Sequence, residues 1–146
     1  MPIGTIYRAP ASGVVVYIRD DIPNYSAGSN HFRDGFRGNY AQNYGFGNTI
    51  IVRIEGSANP NLNGKAWEIH HLSPNSIPSE IKVGSTVYQG QIVAKSGHNG
   101  MSSKEHIHFQ IDKQVCGGAS NPSPCGASAG LNSTINPFDE SLKLIW

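Results

Sequence analysis

Apolar and polar residues alternate with a period of two along much of the chain, which predicts β-strands. Ile6 to Arg19, "IYRAPASGVVVYIR", reads as two strands around a Pro-Ala-Ser-Gly turn, with Val14, Val16 and Ile18 on one face as core. In "NTIIVRIE", Ile50, Val52 and Ile54 share a face. The turn-rich "GSANPNLNG" then leads into "KAWEIHHLS", which predicts a hairpin. Two short β-branched runs in "VGSTVYQGQIVAKSGHNG", each closed by glycine, precede a further strand, "KEHIHFQID", and the tail "INPFDESLKLIW" is expected to add a last strand or a cap. No apolar stripe of helical period stands out beyond a turn near "SPNSIPSEI", so helix content should be small. The segment "DDIPNYSAGSNHFRDGFRGNYAQNYGFG" keeps no period at all, and loops of that length in a compact domain are usually functional or disordered.

A chain of 146 residues fits one domain, here expected over 1–146. Charged residues are 14% of it, against a usual ~25%, while Gly, Asn, Ser and Pro are plentiful, so the expected class is all-β with long loops. Eleven Lys and Arg stand against ten Asp and Glu, and this balance offers no reason for a nucleic-acid or anionic-membrane partner. No apolar run approaches the ~20 residues of a membrane helix, and no signal-peptide pattern opens the chain. Cys116 and Cys125 bracket "GGASNPSP", read as a loop insertion over 116–125. A disulfide there would staple the loop and imply an oxidising compartment. The alternative is two free thiols in a reducing cell.

In a strand, His106, His108 and Gln110 point one way while Ile107, Phe109 and Ile111 point the other. The apolar set is accounted for by core packing, and two neighbouring imidazoles suit a metal or a proton-transfer role as well as a half-exposed polar face. "WEIHHLS" offers a further imidazole: Trp67, Ile69 and His71 share one face, and Glu68, His70 and Leu72 the other. No nucleophile elbow of G-x-S-x-G type is present, so serine hydrolysis is not expected.

Together, "HHLS", "IKVGSTVYQGQIVAKSGHNG" and "EHIHFQI" resemble the lysostaphin-type, or LytM-like, zinc metallopeptidases: an H-L-S segment, V-x-x-G-x-x-V-x-x-G-Q-x-I, a turn, and a final H-x-H-F strand. "PIGTIYRAPASGVVV" and "YGFGNTIIV" are similar to the family's upstream strands, so the likeness covers most of Pro2 to Asp112. It implies a duplicated hybrid motif of antiparallel sheets, also called a barrel-sandwich hybrid. The V-x-x-G-x-x-V-x-x-G-Q part alone is shared with biotinyl and lipoyl carriers and with sugar-transport phosphocarriers.

By the same resemblance His108 is a zinc ligand, while His71 and His106 are catalytic, handling protons and the oxyanion. His70 is the less favoured stand-in for His71. Ile69 stands where the family usually has an aromatic residue. The family's H-x-x-x-D motif, which completes the zinc site, would precede "PIGTIY", so the domain is expected to lack its N-terminal edge. His31 and Asp34 in "NHFRD" are candidate replacement ligands. His98 is expected as an exposed turn residue able to contact substrate, and Tyr44 as part of a groove wall.

The implied activity is zinc-dependent hydrolysis of peptide bonds in bacterial peptidoglycan, in an extracellular or cell-envelope setting. The alternatives are a non-catalytic peptidoglycan-binding or hydrolase-regulating module and, less favoured, a phosphocarrier.

Overall fold

The computed structural model describes residues 1–27, 43–125 and 134–136. Eight strands make up nearly all of its regular structure: β1 (Ile6–Arg8), β2 (Gly13–Arg19), β3 (Thr49–Ile54), β4 (Ala66–His70), β5 (Thr86–Val87), β6 (Ile92–Lys95), β7 (His108–Asp112) and β8 (Thr134–Ile135). Two short 3₁₀ turns, Asn43–Gly45 and Pro60–Leu62, are the helical content among the described residues. The fold is thus all-β. A six-stranded sheet has the order β5-β2-β3-β4-β7-β8, a two-stranded one joins β1 to β6, and every pairing is antiparallel.

The expected β3–β4 hairpin forms, with Ile50 opposite Ile69 and Val52 opposite Trp67. The Pro-Ala-Ser-Gly turn, by contrast, separates strands of different sheets, since β1 pairs with β6 and β2 with β3 and β5. The core face of β2 also differs from the alternation. A register shift between Val15 and Tyr17 inserts Val16 as a bulge. Val15 is therefore the buried residue, Ile18 joins it beyond the bulge, and Val14 and Val16 are half-buried.

Behind the sheet, Val15, Ile50, Val52, Ile54, Trp67, Ile69, Leu72, Val93 and Ile111 form one apolar cluster. Trp67 is fully buried at its centre and donates its Nε1–H to the Ala11 carbonyl at 3.0 Å, so the largest side chain leaves no polar atom unsatisfied. The opposite face of β3, β4 and β7 carries Thr49, Glu68, His70, Gln110 and Asp112, all buried although polar. Lying over it is the loop closed by the Cys116–Cys125 disulfide (Cα–Cα 5.2 Å), whose Cys125 N–H donates to both Glu68 carboxylate oxygens at 3.1 and 3.2 Å.

Cys116 and Cys125 are nine residues apart, a span for which loop-closure entropy is worth about 2–3 kcal/mol. Replacing both cysteines by serine is expected to lower the unfolding free energy measured in urea by that amount. An unfolding free energy equal to that of the parent would show that hydrogen bonds alone hold the loop.

Candidate functional site

At the end of the sheet where β4 finishes and β7 begins, four histidines meet. His70 ends β4 directly opposite His108, the first residue of β7, with ring centroids 5.1 Å apart. His71 leaves the strand with φ +61°, a left-handed backbone that ends the alternation of β4. In consequence His71 does not share a face with Trp67 and Ile69; Leu72 takes the next core position instead. The turn swings the His71 ring to 4.7 Å from His106 and 6.4 Å from His108. His106 lies just before β7 and is held by an isolated bridge to Gly97. Of the expected site residues, His71, His106 and His108 are thus brought together.

Hydrogen bonds to carbonyl oxygens, which only accept, fix the proton on each ring. His71 donates Nδ1–H to the Asn99 carbonyl at 2.7 Å, so its Nε2 keeps the lone pair. His106 donates Nδ1–H to the Lys104 carbonyl at 2.7 Å, which again leaves Nε2 free. His108 has the other tautomer: Nε2–H donates to Gln110 Oε1 at 2.8 Å, and Nδ1 holds the lone pair.

Each ring therefore has one nitrogen not used in these bonds: Nε2 of His71, Nε2 of His106 and Nδ1 of His108. Burial, followed by the neighbouring His106, pushes His71 down to about 3, against a smaller opposing effect of the Asn99 bond. His108 is lowered chiefly by desolvation, although one side of it is exposed, because the Phe46 and His70 rings flank it at 6.3 and 5.1 Å.

His70 belongs to a layer beneath this cluster. It has no exposed surface and is held well below its usual value by burial, then by the charges of His108 and His71. Thr49 Oγ1 donates to the Gly47 carbonyl at 3.1 Å, so at 3.0 Å it accepts the His70 Nδ1–H. His70 Nε2 then points its lone pair toward Glu68 Oε2 at 3.2 Å, a short contact without hydrogen-bond alignment. Burial first, and the Asp112 charge second, push Glu68 up to about 8, with the Cys125 N–H opposing. Glu68 therefore carries its proton at neutral pH.

The scaffold under His71 rests on residues that the sequence did not single out. Asn99 Oδ1 accepts the Asn48 N–H at 2.8 Å and Asn99 Nδ2 donates to the Leu72 carbonyl at 2.6 Å. Asn48 in turn donates to the Ile22 and Leu72 carbonyls at 2.8 and 3.0 Å. Gly47 (φ +64°) passes so close that a Cβ there would sit 2.1 Å from Asn99 Oδ1. The signal available was "YGFGN" itself, a glycine and an asparagine placed just before an apolar strand.

His98 corrects an expectation: it is fully buried and not an exposed turn residue, because the Tyr25 ring packs on it edge-on at 5.5 Å and Asn24 Oδ1 accepts its backbone N–H at 2.8 Å. The ground for a substrate contact there is removed. His31, Asp34 and the side chain of Tyr44 lie outside the described residues.

The donor chemistry at the histidine cluster fits zinc, which binds neutral imidazole nitrogens. Its described residues do not supply a full ligand cage. Among the described residues the closest grouping of potential ligands is elsewhere, at Glu68, Asp112 and Cys125, and Cys125 is spent in the disulfide. A cavity of about 600 Å³ at the far end of the β3–β4 hairpin is lined by Ser12, Asn59, Asn61 and Gln89, with no described histidine in its wall. Gln89 Nε2 there already donates to the Pro10 carbonyl and Asn59 Oδ1 accepts the Asn61 N–H. Among the described residues no helix is long and apolar enough to cross a membrane.

Residues 1–122 match the family model described as Peptidase family M23. The catalytic domain of the antimicrobial peptidase lysostaphin from Staphylococcus simulans has a similar structure (TM-score 0.57, 23% identity, 97% of this chain and 74% of that one). LytU is similar in fold over 99% of this chain and 69% of that one (TM-score 0.56, 19% identity). A second lysostaphin structure from the same organism aligns at 27% identity over 84% of this chain and 37% of that one, with a TM-score of 0.50. No curated protein sequence matches the chain.

Proposed function

Because the chain belongs to peptidase family M23, we propose that its histidine cluster is the centre of a zinc-dependent endopeptidase acting on the peptides of bacterial peptidoglycan. The observation that carries this reading is the convergence of His71, His106 and His108 with complementary tautomers already set. His108 is the ligand contributed by β7. The remaining ligands come from outside the described residues, with His31 and Asp34 as the candidates. Structures named for lysostaphin, an antimicrobial peptidase, support a cell-wall substrate and an extracellular or cell-envelope setting.

Zinc, when bound, supplies a Lewis acid that polarises a peptide carbonyl and acidifies water. The chain's own groups do the rest. His71 is kept neutral by burial, and its Nε2 lone pair can take the proton of an attacking water while Asn99 holds the ring in place. His106 presents a second Nε2, steadied by Lys104 and by Ser102 Oγ at 3.2 Å from its Nδ1. Once protonated, either ring becomes a donor to the oxyanion and then to the leaving amine.

The test is zinc content per chain after dialysis at neutral pH, in the parent and in His108→Ala. Zinc is expected at one per chain in the parent and at background in the variant. Retention of zinc by His108→Ala would remove His108 from the ligand set, and a zinc-free parent would favour a non-catalytic wall-binding module.

A further inference from the structure

Two buried polar side chains, Gln110 and Asp112, continue from His108 into the sheet. Gln110 Oε1 accepts the His108 Nε2–H at 2.8 Å, and Gln110 Nε2 donates to Asp112 Oδ2 at 2.9 Å. Asp112 Oδ1 accepts the Thr134 hydroxyl at 3.2 Å, and the Cys125 carbonyl gives Gln110 Nε2 a second acceptor at 3.4 Å. His108, Gln110 and Asp112 lie on one face of β7 at alternate positions, so the run is a direct product of strand geometry. Gln110 is 7% exposed and Asp112 is fully buried, which excludes the competing water that would let the amide turn.

An amide can face His108 with either its oxygen or its nitrogen. A carboxylate and a carbonyl, being acceptors, demand the nitrogen for themselves, and the oxygen is left for the histidine. We propose that Asp112 is a positioning residue. Acting through Gln110, it locks His108 as the Nε2–H tautomer and so keeps the Nδ1 lone pair available as a metal ligand. Neither Asp112 nor Gln110 touches the reacting atoms. The role of Nδ1 as ligand rests on the reading proposed above, whereas the tautomer lock does not. An outer partner that sets the tautomer of a ligating histidine commonly changes metal affinity by about 10- to 100-fold.

The lock is tested on ¹⁵N-labelled, metal-free protein in the presence of a chelator, reading the ring nitrogens of His108 by long-range ¹H–¹⁵N correlation, with His108→Ala for assignment. The parent is expected to show the Nε2–H tautomer alone. The near-isosteric Asp112→Asn frees the amide to turn, so His108 should become a mixture of tautomers, and zinc affinity measured by chelator competition should fall by about tenfold or more. Adding Gln110→Glu to Asp112→Asn presents His108 with an acceptor once more and should restore the Nε2–H tautomer, which a residue that merely filled space would not do.

An Nδ1–H tautomer in the parent, or an unchanged tautomer in Asp112→Asn, would overturn the proposal. If Asp112→Asn does not fold, Gln110→Leu, which cuts the relay and keeps Asp112, decides it: His108 should become a mixture of tautomers there, and an unchanged Nε2–H tautomer would overturn the proposal. A parent that binds no zinc counts against the enzymatic reading alone, because the tautomer is read without metal.

Discussion

His71→Ala is expected to lower kcat for peptidoglycan cleavage by about 10²- to 10⁴-fold, the usual contribution of a positioned acid–base group, while leaving one zinc per chain in place. The expectation follows from geometry. His71 stands 4.7 Å from His106 and 6.4 Å from His108, its Nδ1–H is committed to Asn99, and its Nε2 is the atom left to accept a proton. Its depressed basicity, about 3 with burial as the first cause, keeps the ring neutral until a developing charge arrives beside it. Turbidity loss of purified cell walls, followed together with metal content, checks this. A kcat within tenfold of the parent would assign the proton to His106, and loss of zinc would make His71 a ligand.

The second large effect concerns pH. Glu68 is expected to cost the metal-free domain stability as the medium becomes alkaline, and Glu68→Gln to remove that cost. Its folded-state value of about 8 lies above the ordinary 4.5, so between these two pH values the folded chain holds a proton that the unfolded chain has released. Stability therefore falls as pH rises through that window, at about 1.4 kcal/mol per pH unit, a few kcal/mol in all.

His70, His71 and His108 have the opposite sign. Their folded values are lowered, so the unfolded chain binds the extra protons and stability rises with pH up to about 6.5. The metal-free parent should thus be most stable near neutrality and weaken toward pH 8. Glu68→Gln keeps an oxygen for the Cys125 N–H and stays uncharged at every pH, the state that protonated Glu68 has below its folded-state value. The variant should match the parent at pH 5 and exceed it at pH 8 by roughly 2–4 kcal/mol. Urea unfolding at both pH values decides, and parallel pH profiles for the two proteins would show that Glu68 is ionised in the folded state.

Strand identity was legible because a period of two is a local property. Ile50, Val52, Ile54, Trp67 and Ile69 alternate within their own segments, and each is buried where the alternation puts it. The histidine-bearing segments were legible for a different reason: "HHLS" and "HIHF" carry residues whose type and order mark them, whatever surrounds them.

Tertiary structure decided what depends on a neighbour. The bulge at Val16 follows from the register of β2 on β3, which no single strand encodes, and it moves the buried face to Val15 and Ile18. The left-handed turn at His71 is held by the Phe46 carbonyl accepting its N–H at 3.1 Å and by Gly97 N–H donating to its carbonyl at 2.8 Å. His98 is buried by Tyr25 and Asn24, which are more than 70 residues distant in sequence. Pairing of β7 with β4 under the disulfide loop turns Glu68, Gln110 and Asp112 from an outward polar face into a buried network. Sequence by itself determined the strands and the histidines. Only the packing of distant segments determined that His70 and His71 carry their protons on Nδ1, because Thr49 and Asn99, 21 and 28 residues away, supply the oxygens that receive them.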